Sequence, residues 1–553
     1  MRANDLAVKI VEKTNEDSVE TFLQVKNCSK GKIGGQWRLY FSLGLSPIET
    51  ENRVKKVILD GRYGFIEPTP NWKTLDSGAL VEIQVENWLF SGMQLVARQG
   101  FHLVELVNGV EKLLGAPLLL EPLLAPLKST RAQLAKAQRE KQFLPGSEAL
   151  EHDDIEIVPA IKTEYSTQNQ VHSAGFYVAD CSLKNEANHL KKLLIEMGVS
   201  GKSTPIYLKL DSTLRSSYRL ETIAERVTIV GQDEQTVFYG IQTFRQLIGR
   251  HTGGCSFPIV KIEDTPDFEH RAFYIDIARH FQPLTQIKKT VEAMSTYKMN
   301  RLQLGISNDE GWRLAIQSIP ELTEVGARRS YSRYTTEGVL RALYPAWGDD
   351  HHDYEGFLSR EDFVSLLKHA KKHHVEVILE FNLPGHANAF IQSVSQNDQW
   401  RLVDPEDTSQ YRSAQGYTNN VINVGMEDNY RIAKIILEEI KSLYEEAHLP
   451  LTRIHLGGDE VPFGAWLHSP ACRRLTVWNP KWDVDVPKHA KEATQQLMAY
   501  HHKKITGIVD QVSPGTQTGF WHDMSAAGKE NNHNDYYNVW LTSDAKTETI
   551  NPI

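Results

Sequence analysis

The chain has 553 residues, 41% hydrophobic and 24% charged, with a net charge of −9 at pH 7. That is the profile of a soluble globular protein of about three or four domains. The negative balance argues against a nucleic-acid binder, which is usually basic, and no run of 18 apolar residues offers a membrane span. The N-terminus, Met1 to Asp5, carries no apolar signal core. As written the chain is therefore expected in the cytoplasm, or in the periplasm or outside the cell if a leader has been trimmed. Cys28, Cys181, Cys255 and Cys472 lie far apart and form no metal-type pair, so scattered buried thiols are expected.

Residues 1–145 read as a β-sandwich followed by a linker. Phe22 to Lys26, Trp37 to Phe41, Val81 to Val85 and His102 to Leu106 alternate apolar with polar, as half-buried strands do. Gly34-Gly35, Pro68 to Pro70 and Ser91-Gly92 punctuate them. Trp37, Trp72 and Trp88 are expected in core packing ahead of a sugar-binding face. The Leu- and Pro-rich stretch from Leu113, and the basic helical pattern from Arg131 to Lys141, read as the linker. Residues 150–265 read as an α+β domain. Strands are expected at Ile155–Pro159, Pro205–Leu210, Ser217–Thr222 and Arg226–Gly231, with helices at Ala187–Met197 and Glu234–Ile248.

From 266 to 553 strand and helix alternate. Strands are expected at Arg271–Ala278, Asn300–Ile306, Val375–Phe381, Thr452–Leu456, Gln517–Trp521 and Asn538–Leu541. Helices fall between them at Leu284–Lys298, Asp362–His374, Glu427–Glu446 and Pro487–Val509. Repeated βα units of this kind build a (β/α)8 TIM-type barrel, here stopping after about six strands. In such barrels the chemistry gathers at the carboxyl ends of the strands. Arg279-His280, Asn308 to Arg313, Asn382 to His386, Asp459-Glu460, Trp521 to Asp523 and Trp540 follow the six strands. Gly457-Gly458 frees the backbone to turn and lets a ligand approach closely. Asp459 and Glu460 come next, and on an extended chain neighbours point to opposite sides. Paired acids beside Phe463 and Trp466 suit a sugar site.

The motifs Asp276 to Phe281, Asn308 to Arg313, Pro384-Gly-His386 and His455 to Glu460 resemble those of the family 20 glycoside hydrolases, the β-N-acetylhexosaminidases and bacterial chitobiases. Leu322 to Gly326, Arg401 to Pro405 and Tyr239 to Phe244 extend the resemblance over the whole chain. It implies exo-acting, retaining hydrolysis of terminal β-linked N-acetylglucosamine from chitobiose and related oligosaccharides, with no cofactor. In substrate-assisted enzymes of this type the sugar's own acetamido oxygen attacks C1, giving an oxazolinium intermediate without a protein nucleophile. By resemblance Glu460 is the acid/base and Asp459 orients the acetamido group. His386 with Asp309 supports Glu460, Arg279 and Asn308 bind the sugar, and Trp521 and Trp540 wall the pocket. The acid role requires a raised Glu460 pKa. The family commonly has Asp-Asp at Asn308-Asp309 and Asp at Asn382. If His386 pairs with the first of the two, its partner here is an amide and the relay is weakened. The family's last two strands have no counterpart before Ile553.

Two other readings compete: a carbohydrate-binding protein without turnover, because the barrel is incomplete, and a barrel glycosidase with a protein nucleophile. His351-His352-Asp353, His373-His374 and His501-His502 match no trusted metal spacing. Trp347 to Tyr354 is an active-site lip or a plain loop, and Trp478 and Trp482 flank substrate or pack.

Overall fold

The computed structural model describes residues 1–14, 19–41, 45–47, 53–60, 63–87, 102–115, 118–124, 157–330, 340–341, 355–395, 397–523 and 534–539. The first region holds two five-stranded sheets. One orders Leu118–Leu124, Leu6–Thr14, Val19–Asn27, Leu80–Asn87 and Leu45–Pro47; the other orders Val54–Asp60, Tyr63–Pro68, Trp37–Phe41, His102–Val107 and Val110–Gly115. Their apolar alternation meets in one core, where Leu6, Val8, Leu23, Val25 and Ile83 face Trp37, Leu39, Ile66 and Leu103. Trp37 packs edge-on to Trp72 at 5.3 Å, so both serve packing; Trp88 lies outside the described residues. The expected linker is corrected in part. Leu113 belongs to a strand, and Leu118–Leu124 pairs in parallel with Leu6–Thr14. A Pro-containing run is tolerated there because that strand lies at the sheet edge. Arg131 to Lys141 lies outside the described residues.

The second region is a seven-stranded sheet with helices α1 (Lys184–Glu196) and α2 (Glu234–Leu247). Asp233 caps α2, accepting from the Thr236 backbone N–H at 2.8 Å. No strand forms over residues 157–162; the first is Thr163–Ser173. Its sequence is almost wholly polar, so alternation could not reveal it. The cysteines are all free, but only Cys255 and Cys472 are buried; Cys28 is exposed, which corrects that expectation.

The third region carries six parallel strands in chain order among the described residues. They are β1 (Ala272–Asp276), β2 (Arg301–Asn308), β3 (Glu376–Phe381), β4 (Arg453–His455), β5 (Gln517–Trp521) and β6 (Asp535–Asn538). Helices α3 (Leu284–Thr296), α4 (Arg360–Lys372), α5 (Asn388–Val394), α6 (Glu427–Glu446) and α7 (Pro487–Val512) intervene. This is the winding of a TIM-type barrel. Parallel strands covered by helices are buried on both faces and read as continuous apolar runs. Leu302, Leu304, Leu379, Phe381, Ile454 and Phe520 accordingly sit in one core with Ile287, Leu367, Ile436 and Ile505 of the helices. β6 begins three residues earlier than expected, and Trp540 lies outside the described residues.

Candidate functional site

The carboxyl ends of β2, β3 and β4 meet at His386. β4 ends into Gly457 and Gly458, whose φ values of 71° and 92° lie in the left-handed region. A Cβ on Gly457 would come within 2.0 Å of Asn382 Oδ1, so the loop after β4 can approach the one after β3 only because a glycine stands there. The chain does not then run extended. Glu460 itself takes φ 47°, which brings its carboxylate to the same side as that of Asp459. Asp459 Oδ2 and Glu460 Oε2 each lie 3.4 Å from His386 Nε2. The expectation of opposite faces is corrected for this reason.

On the other side of the ring, His386 Nδ1 lies 2.9 Å from Asp309 Oδ2. The imidazole is 2% exposed and is itself at φ 48°. Asp309 is fixed by the Asn388 backbone N–H at 3.1 Å and the Asn420 amide at 3.1 Å. The partner of His386 is thus the second residue of the Asn308-Asp309 pair, an acid and not an amide. Burial alone would push His386 down, but hydrogen bonds to Asp309, Asp459 and Glu460 outweigh it and hold the ring well above its ordinary value. The His386 bond, against burial and with help from Gln415 Nε2 at 2.6 Å, lowers Glu460. The site therefore does not show the raised Glu460 that was expected. Asp523, at the end of β5, is raised by burial and by the nearby Asp459 and Glu460; it accepts from the Glu460 backbone N–H at 3.1 Å. Asp459 Oδ1 is buried and has no hydrogen-bond partner.

Arg279, after β1, donates to Asp276 Oδ2 at 2.5 Å. Asn308, expected at the sugar, is 2% exposed and donates to both Asp276 oxygens at 3.2 and 3.3 Å. It steadies the Asp276–Arg279 pair. Asn382 donates from Nδ2 to the Ser307 carbonyl at 3.1 Å, a bond an aspartate could not make.

Trp521 is partly exposed, packs edge-on to Tyr274 at 5.7 Å and donates from Nε1 to Glu380 Oε1 at 3.2 Å. Glu380 went unnoticed in the sequence because it sits inside an apolar strand run. It is fully buried, accepts from Gln303 Nε2, and burial pushes it up to about 8. Its Oε2 lies 3.3 Å from His455 Nδ1, and burial takes His455 down to about 3. Gln415 and Asn420 stand in the aperiodic connection after α5, which offers no sequence signal. Trp478 and Trp482 pack edge-on at 5.4 Å, and His502 pairs with Asp535 at 3.0 Å. His351 to Asp353 and Trp347 to Tyr354 lie outside the described residues.

Two family models match the chain: "Glycosyl hydrolase family 20, catalytic domain" over residues 268–551 and "Glycosyl hydrolase family 20, domain 2" over residues 155–265. The chain is similar to "Beta-hexosaminidase B" of Pseudoalteromonas piscicida, 33% identical over 319 residues, 55% of this chain and 39% of that protein. It is 29% identical over 429 residues to a "Beta-hexosaminidase" of Vibrio furnissii, 75% of this chain and 64% of that protein. It is 32% identical over 296 residues to "N,N'-diacetylchitobiase" of Vibrio harveyi, 50% of this chain and 33% of that protein. Each match thus spans under two thirds of the relative's own length. Among solved structures, the GH20 exo-β-N-acetylglucosaminidase of Vibrio harveyi in complex with N-acetylglucosamine superposes with a TM-score of 0.75 at 21% identity, over 98% of this chain and 80% of that one. At that identity the likeness concerns the fold.

Proposed function

The chain belongs to glycosyl hydrolase family 20, and from that premise we propose that it is a β-N-acetylhexosaminidase releasing terminal β-linked N-acetylglucosamine from chitobiose-type oligosaccharides. The observation that carries this reading is Asp459 Oδ1, a buried carboxylate oxygen without a partner beside Glu460. An unpaired buried acceptor is costly, and an acetamido N–H is the donor it lacks. Asp459 holds that group and offsets the charge of the oxazolinium as the acetamido oxygen attacks C1. Glu460 protonates the leaving oxygen and then activates water. Its lowered pKa without ligand means that the bound sugar must change it. Excluding water from Glu460 disfavours the carboxylate, and His386 then donates to Asp459 in place of Glu460. Arg279 offers its fork of donors to sugar hydroxyls, positioned through Asp276 and Asn308, while Trp521 and Trp540 wall the acetamido methyl. The proposed division of the chain is a carbohydrate-binding-type sandwich at 1–145, the α+β domain at 150–265 and the catalytic barrel at 266–553.

The test is release of a chromogenic aglycone from a β-N-acetylglucosaminide. Asp459→Ala is expected to lower kcat by roughly 100- to 1,000-fold, the range for removing one preorganised electrostatic group. Glu460→Gln is expected to abolish turnover of poor leaving groups first. Full activity in Asp459→Ala would overturn the substrate-assisted mechanism.

A further inference from the structure

On the outside of the barrel, remote from the carboxyl ends of the strands, Glu292 of α3, His369 of α4 and His373, the residue after α4, each offer one ligand atom, and these atoms all lie within 4.8 Å of one another. The sequence draws the eye to the adjacent pair His373-His374, but His374 turns away to Glu186 at 2.9 Å. The pair that shares a face is 369 and 373, four apart on the helix, with ring centroids 4.7 Å apart.

Each ring is held through one of its nitrogens. Ser295 Oγ donates to the Glu292 carbonyl at 2.8 Å, so its lone pairs are left to accept from His373 Nδ1 at 3.3 Å. His369 Nε2 is buried without a hydrogen-bond partner, and the ring's bond to the Lys288 backbone therefore falls to Nδ1. A ligating histidine is held in this way, with one N–H spent on an oxygen and the opposite lone pair aimed at the metal. His369 Nε2 stands 3.4 Å from Glu292 Oε1 without hydrogen-bond geometry. Two ligands at zinc distances of about 2.0–2.1 Å in a tetrahedron are about 3.4 Å apart, so this gap is one tetrahedral edge. Glu292 is exposed, and rotation of its side chain can close the remaining separation. His189 is the nearest further ring, 5.5 Å from His373, but its Nε2 accepts from the Gln242 amide at 3.0 Å. The fourth position falls to water.

We propose that Glu292, His369 and His373 form a zinc(II) site that clamps α3 to α4. Two imidazoles and a carboxylate suit this borderline ion. Lys288 and Lys192 lie close enough to oppose a dication, so the affinity is that of an exchangeable site. The inference does not rest on the proposed glycosidase activity.

The test starts from the full chain stripped with a chelator and titrated with zinc chloride against a fluorescent zinc indicator, with thermal midpoints followed in parallel. One zinc per chain and a raised midpoint are expected. His369→Gln should weaken binding more than roughly 100-fold, beyond the effect of losing an outer-shell partner. Glu292→Gln, at an exposed position that does not threaten folding, should weaken it roughly 10-fold and shrink the midpoint shift. No zinc retained by the parent chain would overturn the proposal. So would equal affinity in parent and Glu292→Gln, which would place the ion elsewhere among the 21 histidines.

Discussion

His386 faces three carboxylates at once, and the pH behaviour of the site follows from that. Its pKa is raised in the fold, so its contribution to stability is full below the ordinary histidine value of about 6.5 and is lost as pH rises through the raised value. Glu460 is lowered, so its contribution is present above the ordinary carboxylate range and is lost as pH falls through the lowered value. Between these limits neither group adds a slope of its own to thermal melts, and any slope found there comes from other groups. His386→Gln should remove the alkaline decline and shift the acid one upward, with glycoside turnover down roughly 100-fold or more if the ring aids proton transfer. Glu380 has the opposite sign from Glu460. It is raised to about 8 by burial, so stability declines as pH rises from the ordinary carboxyl range to about 8 and levels above it. Glu380→Gln should flatten that slope in midpoints measured from pH 5 to 9; an unchanged slope would mean that Glu380 is ionised at neutral pH. At this scale the sequence named Asp309, His386, Asp459 and Glu460, and the fold brings all four together. It could not say which of Asn308 and Asp309 meets His386, because that choice depends on backbone angles at the end of β2. The common side of Asp459 and Glu460 depends likewise on one left-handed residue.

Among the elements, the barrel strands were legible and some of the others were not. β2, β3 and β4 are short apolar runs flanked by turns, and their expected bounds lie within two residues of those observed. Thr163–Ser173 carries little apolar signal, and its place is fixed by pairing with Gly254–Asp264, a contact about 90 residues away that no local pattern announces. The loop after β4 is the element on which the site depends most. Gly457→Ala would place a side chain where φ is 71° and overlap Asn382 Oδ1. The left-handed conformation alone costs about 1–2 kcal/mol for an L-residue. Urea denaturation should show at least that loss, and displacement of Asp459 and Glu460 should remove turnover. A variant of parental stability and rate would mean that the loop can adopt another path.

Among the described residues, the polar contacts that join the α+β region to the barrel include a buried one. Lys298, in the turn after α3, reaches Tyr218 OH at 2.9 Å and Asp264 Oδ2 at 3.2 Å on strands of the α+β sheet. Asn185 donates to the Lys372 carbonyl at 3.1 Å and Arg271 to Tyr239 OH at 2.6 Å beside it. No reading of either region alone pairs Lys298 with Asp264, since in its own segment each residue is an ordinary surface charge. Burial lowers Lys298 while Asp264 opposes that shift. Lys298→Met tests whether the pair is ionic. If the pair is ionic, removing the ammonium leaves Asp264 buried and uncompensated, at a cost of about 3–5 kcal/mol. Adding Asp264→Asn should then recover most of the loss, because replacing both members of a buried pair is far less costly than breaking it. The expected outcome by urea denaturation is this loss and recovery. A loss under about 1 kcal/mol in Lys298→Met, no more than a neutral hydrogen bond contributes, would mean that the domains are held by apolar packing alone.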